Sequence, residues 1–156
     1  MSAPLRSLLP GFEAGPWLVT TRLDVLANAL ADRHYSRRRP KSGQIGAPGR
    51  KLVLVTPCGR AVWLTHWPYP ELAMDGLDAW RCSIFHNEGA GLSSELIRSA
   101  MSLTAERWGE QPKDGWVTWV DTRKVRRKRD PGRCFLKAGW WRDREYQHRY
   151  LVRLRA

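Results

Sequence analysis

Three constellations in this 156-residue chain carry side chains suited to chemistry. The first is His34-Tyr35-Ser36. An imidazole, a phenol and a hydroxyl in a row can relay protons or grip a phosphate. The second is Asp121, which the pattern places at the carboxyl end of a strand, where ligands gather in open α/β sheets. Its carboxylate can orient a substrate amine or act as general base. The third is the turn Glu88-Gly89-Ala90-Gly91-Leu92-Ser93-Ser94. Gly89 and Gly91 let backbone N–H groups approach a ligand closely. The helix start behind them adds partial positive charge, which makes a candidate diphosphate cradle. The turn lacks the spacing of a Walker A loop or a dinucleotide fingerprint. Each constellation also has a plainer reading: a His and Tyr closing a helix, a carboxylate capping its turn and pairing with Arg123, and a tight strand–helix turn.

Charge surrounds two of these sites. The chain has 27 basic and 15 acidic residues, a net charge of +12. Residues 33–60 hold eight basic and no acidic side chains, and residues 121–156 hold thirteen basic against four acidic. The intervening residues 61–120 hold four basic against eight acidic. The densest runs are Arg37-Arg38-Arg39-Pro40-Lys41 and Arg123-Lys124-Val125-Arg126-Arg127-Lys128-Arg129. Folded onto one face, they make a field suited to a phosphate backbone. The plainer reading is two solvated loops.

Hydrophobic periodicity supplies the elements that must position these groups. Residues 16–20 read as a short opening strand. Leu23, Leu26, Ala27, Leu30, Ala31 and His34 recur at helical spacing, which predicts a helix over 21–34 opened by Thr21 with Asp24 three residues on. Lys51–Val55 and Arg60–Trp67 form a hairpin about Thr56-Pro57-Cys58-Gly59. Trp80–His86 is a third strand, with Cys82, Ile84 and His86 alternating against Arg81, Ser83 and Phe85. Leu96, Ile97, Ala100, Met101, Thr104 and Trp108 share one face of a helix over 93–108, capped by Ser93 or Ser94. Trp116–Asp121 is a strand, Pro131–Lys137 a short helix ended by Gly139, and Tyr146–Leu154 a closing strand. The order β-α-β-β-β-α-β-α-β implies one α/β domain, with a mixed sheet and helices on both faces. Residues 1–15 read as a flexible N-terminal segment.

Several classes are excluded. No apolar run approaches membrane-spanning length, and the N-terminus lacks the pattern of a secretory signal. A cytoplasmic protein is expected. The three cysteines (Cys58, Cys82, Cys134) are widely spaced, which supports neither a zinc ribbon nor a disulfide framework and suits buried, reduced thiols. His66, His86 and His148 have no metal-ligand spacing, so no metal is expected. Nine Trp exclude a disordered basic tail. Trp116 and Trp119 fall on opposite faces of one strand. Trp140 and Trp141 are hard to bury together, which leaves one of them able to stack on a base.

The strand–turn–helix at 80–108 followed by strand 116–121 resembles the core of the GCN5-related N-acetyltransferase (GNAT) fold, a mainly antiparallel mixed sheet flanked by helices on both faces. There the loop before the central helix binds the pyrophosphate of acetyl-CoA through backbone amides. Residues 88–94 occupy that place but depart from the family's Arg/Gln-x-x-Gly-x-Gly/Ala. Pro131 to Trp140 resembles the later helix and its small-Gly-aromatic ending. Within the superfamily, His34-Tyr35-Ser36, Val120-Asp121-Thr122-Arg123 and Pro131–Trp140 are similar to the Mom-like phage proteins, which modify DNA bases against restriction. Those enzymes are also suggested to employ an iron; no ligand cluster for one is legible here.

The resemblance implies a phage DNA-modification transferase that adds an acyl-type group to a base, with acetyl-CoA or a related acyl-CoA as donor. Tyr35 and Asp121 would act at the reacting group, supported by His34 and Ser36. Glu88 to Ser94 would hold the cofactor. Arg37, Arg38, Arg39, Lys41, Arg123, Lys124, Arg126, Arg127, Lys128 and Arg129 would hold DNA. The DNA must be single-stranded or present a flipped base. Two alternatives stay open: a GNAT acting on a protein or small amine, and a non-enzymatic nucleic-acid-binding protein on a degenerate GNAT scaffold.

Overall fold

The structure, a computed structural model, describes residues 15–34, 42–124 and 131–156. It is a mixed α/β domain. The elements are β1 (Leu18–Thr20), α1 (Val25–Asp32), β2 (Arg50–Val55), β3 (Ala61–Trp67), a single 3₁₀ turn (Pro70–Leu72), β4 (Trp80–Asn87), α2 (Ser93–Trp108), β5 (Trp116–Asp121), α3 (Arg133–Lys137), β6 (Trp141–Arg142) and β7 (Leu151–Arg155). Seven strands form one sheet in the order β1-β2-β3-β4-β5-β7-β6. Every pairing is antiparallel except β4 with β5, which α2 joins by a crossover. The expected flexible segment falls almost wholly in residues 1–14, outside the described residues.

Alternation along the strands divides the core into two clusters. Leu52, Leu54, Ala61, Trp63, Trp80, Cys82, Trp116, Val120 and Leu154 gather with Leu96, Ile97, Ala100 and Leu103 of α2 and Phe135 of α3. Val53, Val55, Val62, Leu64 and Ile84 gather instead with Ala27, Leu30 and Ala31 of α1 and with Ile45. The first cluster is built on aromatic rings. Trp63, Trp80 and Trp140 each lie within 6.0 Å of Trp116, centroid to centroid, mostly edge-on. These edge-to-face contacts add about 1 kcal/mol each beyond the buried area. Thr65 and Thr104, both fully buried, share a 2.8 Å hydrogen bond that ties β3 to α2.

The expected alternation of Cys82, Ile84 and His86 on one face fails. Leu64 faces Ile84 while Thr65 faces Cys82, so Ser83 is passed over as a β-bulge. One extra residue inverts the parity of everything after it. Cys82 therefore packs towards α2, and Ile84 towards α1.

Helix boundaries also moved. Asp24, not Thr21, caps α1: its carboxylate accepts from the Ala27 N–H at 3.0 Å, while Thr21 Oγ1 accepts only from Leu23. Leu23, which precedes α1, and Leu26, inside it, are both exposed. Leu92 stands at the N-cap of α2, and neither Ser93 nor Ser94 caps with its side chain. The closing strand expected over Tyr146–Leu154 is Leu151–Arg155, shorter and one residue later at its end, and a two-residue strand, β6, pairs on its outer edge. Cys82 is buried as expected, but Cys58 is exposed and Cys134 half-buried.

Candidate functional site

The end of α1 meets the end of β4. The bulge turns His86 to the α1 side, where its ring lies 6.0 Å from that of His34, edge to face. His86 Nε2 is 2.6 Å from Glu88 Oε2. Arg33 donates to both Glu88 oxygens, at 2.6 and 3.0 Å. This fork–fork pair, joined by the imidazole, makes a charge-assisted cluster. The Arg33 guanidinium first and the His86 ring second hold the Glu88 carboxyl down to about 2. His34 moves the other way. Burial, then the neighbouring His86, lowers its pKa to about 4, although a hydrogen bond with the Phe85 backbone opposes the shift. His34 is therefore a neutral imidazole at neutral pH and a weak base.

The loop from Glu88 to Ser94 is shaped by a residue the sequence reading passed over. Asn87 Oδ1 accepts from the N–H groups of Gly89 and Ala90, at 3.2 and 2.9 Å. Its amide donates to Gly91 O and Ser93 Oγ, both at 2.9 Å. A short amide side chain closing its own following turn is an Asx signature, and an Asn directly before Glu88-Gly89 is its signal in the sequence. Gly89 adopts a φ of +92°, which a side chain would resist. Asn87 thus occupies two of the loop's backbone donors. Among the described residues none accepts from the N–H groups of Gly91, Leu92, Ser93 or Ser94, the first-turn donors that a phosphate would use. The Glu88 carboxylate faces Arg33 and His86, so a bound anion would not meet an unpaired negative charge there.

The β4–β5 ladder carries only the pairs Trp80–Trp116 and Arg81–Val117. One further bond, Thr118 Oγ1 to Cys82 O at 2.8 Å, extends it. Past that point β4 stays with β3, while β5 stays with β7. The carboxyl ends of the parallel pair, where residues 88–94 and Asp121 sit, are not held to each other by the sheet. Asp121, 9% exposed, accepts from the Arg123 backbone N–H at 3.0 Å and from its guanidinium at 3.1 and 2.9 Å. The Arg123 side chain is the main cause of a carboxyl pKa below its ordinary value. This is the turn-capping, Arg-paired geometry of the plainer reading, and it makes Asp121 a fixed anion more than a proton acceptor. Lys124 N–H closes the same turn on Asp121 O at 3.1 Å.

Tyr35, Ser36, Arg37, Arg38, Arg39, Lys41, Arg126, Arg127, Lys128 and Arg129 lie outside the described residues. Among the described residues, no group of three or more His, Cys, Asp or Glu is placed to hold a metal ion. No helix among them is long and apolar enough to cross a membrane. Trp140 is core, while Trp141 is 53% exposed. Compared with known protein families, curated proteins and solved structures, the chain matches none.

Proposed function

We propose that this chain is a GNAT-type DNA-modification transferase. It would add an acyl-type group from acetyl-CoA or a related acyl-CoA to a base of phage DNA, presented single-stranded or flipped out. The observation that carries this reading is the junction after β4. There, first-turn amides without an acceptor open a four-turn helix, beside a parallel strand pair whose ladder stops early. When bound, the donor supplies an activated thioester. The N–H groups of Gly91 to Ser94 would hold its diphosphate. The neutral His34, with His86 beside it, would support the reacting group by orienting the attacking base amine as a hydrogen-bond partner. Tyr35 and Ser36, which follow His34 directly in the chain, would act with it. Asp121 would fix Arg123 towards the DNA. The basic residues 37–41 and 123–129 would carry the phosphate backbone.

A second reading is favoured by a specific observation. Glu88 and Asp121, the carboxylates of the site, are both tied to arginines, which suits a nucleic-acid-binding protein without catalysis. Nucleoside mass spectrometry of DNA from cells expressing the protein separates the two. The transferase reading expects a new nucleoside that disappears with His34→Ala. DNA binding without any new nucleoside would leave the non-enzymatic reading.

A further inference from the structure

The half of the sheet beyond β4 carries a row of rings and guanidinium groups, of which only Arg123 belongs to the sites above. Trp116, Val120 and Leu154 point towards α2. Trp119 and Asp121 of β5, and Arg153 and Arg155 of β7, therefore point to the other face. On that face the cluster beneath α1 ends at Ile84 and includes no residue of β5, β6 or β7. Registered pairing puts Trp119 beside Arg153, and Arg155 beside Trp141.

Each ring there has a cation. Arg81 lies 5.6 Å from the Trp119 centroid, Arg155 5.7 Å from Trp141, Arg153 4.7 Å from Tyr146, and Arg123 3.4 Å from Tyr150. His148 joins the last two rings. It lies parallel to Tyr146, within 4° at 6.1 Å, and edge-on to Tyr150 at 4.4 Å. His148 Nδ1 accepts from the N–H groups of Tyr150 and Leu151, at 3.3 and 3.2 Å, and this local turn fixes the ring between the two tyrosines. Asp143, 6% exposed, anchors the row by accepting from Arg153 and Arg155, at 2.7 and 3.3 Å. Between β6 and β7 the row borders an open cavity of about 270 Å³, whose wall includes Arg142, Arg144, Tyr146 and His148. Arg142, Arg144, Arg149, His148 and Trp141 are exposed; the opposing exposed carboxylate in this segment is Glu145.

We propose that this face is a platform for single-stranded nucleic acid. Trp141, Tyr146 and His148 stack unpaired bases, and Arg142, Arg144 and Arg149 hold the phosphates. Arginine alone would suit any polyanion. The rings decide the class, because every base has a π-face while an acidic peptide has none. A duplex keeps its base faces inside its own stack, out of reach of a flat surface. The proposal deepens the nucleic-acid part of the function above and rests on it only for that partner class; the transferase chemistry is not used.

The test is fluorescence anisotropy of labelled oligo(dT) with the full chain. Competitors are a duplex, oligo(rU) and polyglutamate, and thermal melting serves as the control for folding. Wild type should bind oligo(dT) more tightly than the duplex. The exposed substitutions Trp141→Ala and His148→Ala should each weaken binding about tenfold; the melting curve should be unchanged for Trp141→Ala and fall slightly for His148→Ala, which also releases the N–H groups of Tyr150 and Leu151. Arg144→Gln with Arg149→Gln should lower the slope of log affinity against log salt by about one to two. Tighter binding of oligo(rU) would support the platform and make RNA its partner. The proposal is overturned by no binding, by a tighter duplex, by equal displacement with polyglutamate, or by unchanged affinity in both ring variants. The nucleoside assay on wild type reads the transferase chemistry separately, so either idea can fail alone.

Discussion

The Arg123 guanidinium lies over the Tyr150 ring, 3.4 Å from its centroid, while the same group donates to both oxygens of Asp121. An acid, a cation and a ring are thereby stacked at the junction of β5 and β7. This arrangement joins the candidate site at Asp121 to the ring-and-arginine face. Arg123→Gln should release the carboxylate. NMR titration of the Asp121 carboxyl should then show its pKa rising towards the ordinary Asp value. An unchanged pKa would mean that the turn amides alone hold it.

The half-buried imidazole of His34 makes stability depend on pH. His34 has a folded pKa near 4 against an ordinary value near 6.5. The group prefers its neutral form when folded, so its contribution is complete above about pH 6.5. That contribution falls as pH drops through the window from about 6.5 to 4, because the unfolded chain takes up the proton first. The loss should be on the order of 3 kcal/mol for full protonation. Denaturant unfolding at pH 7 and pH 4.5 should show it, and His34→Phe should flatten the pH profile in that window. An equally steep profile in the variant would assign the effect elsewhere.

Asn87→Ala removes the clamp on the loop. It leaves the N–H groups of Gly89 and Ala90 to water and should cost about 1 kcal/mol, since the site is partly exposed. If the following amides hold a diphosphate, calorimetric affinity for acetyl-CoA should fall about tenfold or more while the fold persists. Unchanged affinity would remove this loop from the cofactor assignment.

Two adjacent tryptophans should respond in opposite ways. Trp140, 3% exposed, packs against Trp116 and Phe135 and donates to Met101 Sδ. Trp140→Ala should destabilise the protein by about 3–5 kcal/mol. Trp141→Ala, at an exposed edge, should cost less than about 1 kcal/mol. Paired denaturant curves check both, and comparable losses would contradict the burial difference.

Gly115 limits how β5 begins. Its φ is +67°, and a Cβ there would come within 2.4 Å of the Ala156 carbonyl oxygen. Gly115→Ala should cost at least about 2 kcal/mol through strain and a lost β5–β7 register. A wild-type melting temperature would show that the C-terminal strand can shift.

The sequence alone determined the parts that depend on local spacing. Helical periodicity marked the α2 face, of which Leu96, Ile97, Ala100 and Thr104 are buried. β-Branched runs marked the hairpin, and a helix between two apolar strands marked the parallel crossover. Basic residues were visibly confined to two segments. Only the tertiary structure decided which groups meet. A bulge at Ser83 depends on how β4 fits β3, and no period within β4 records it. Yet that one residue carries His86 across the sheet to His34. Tyr146, His148 and Tyr150 alternate like a strand in the sequence, yet the segment is irregular, because the His148 ring closes a local turn on the Tyr150 and Leu151 N–H groups. Their arginines come from positions as distant as Arg123 and Arg153, and such pairings exist only once β5, β6 and β7 are side by side. Local periodicity reports which face a residue prefers; the neighbours on that face are set by strand register, which is a property of the whole sheet.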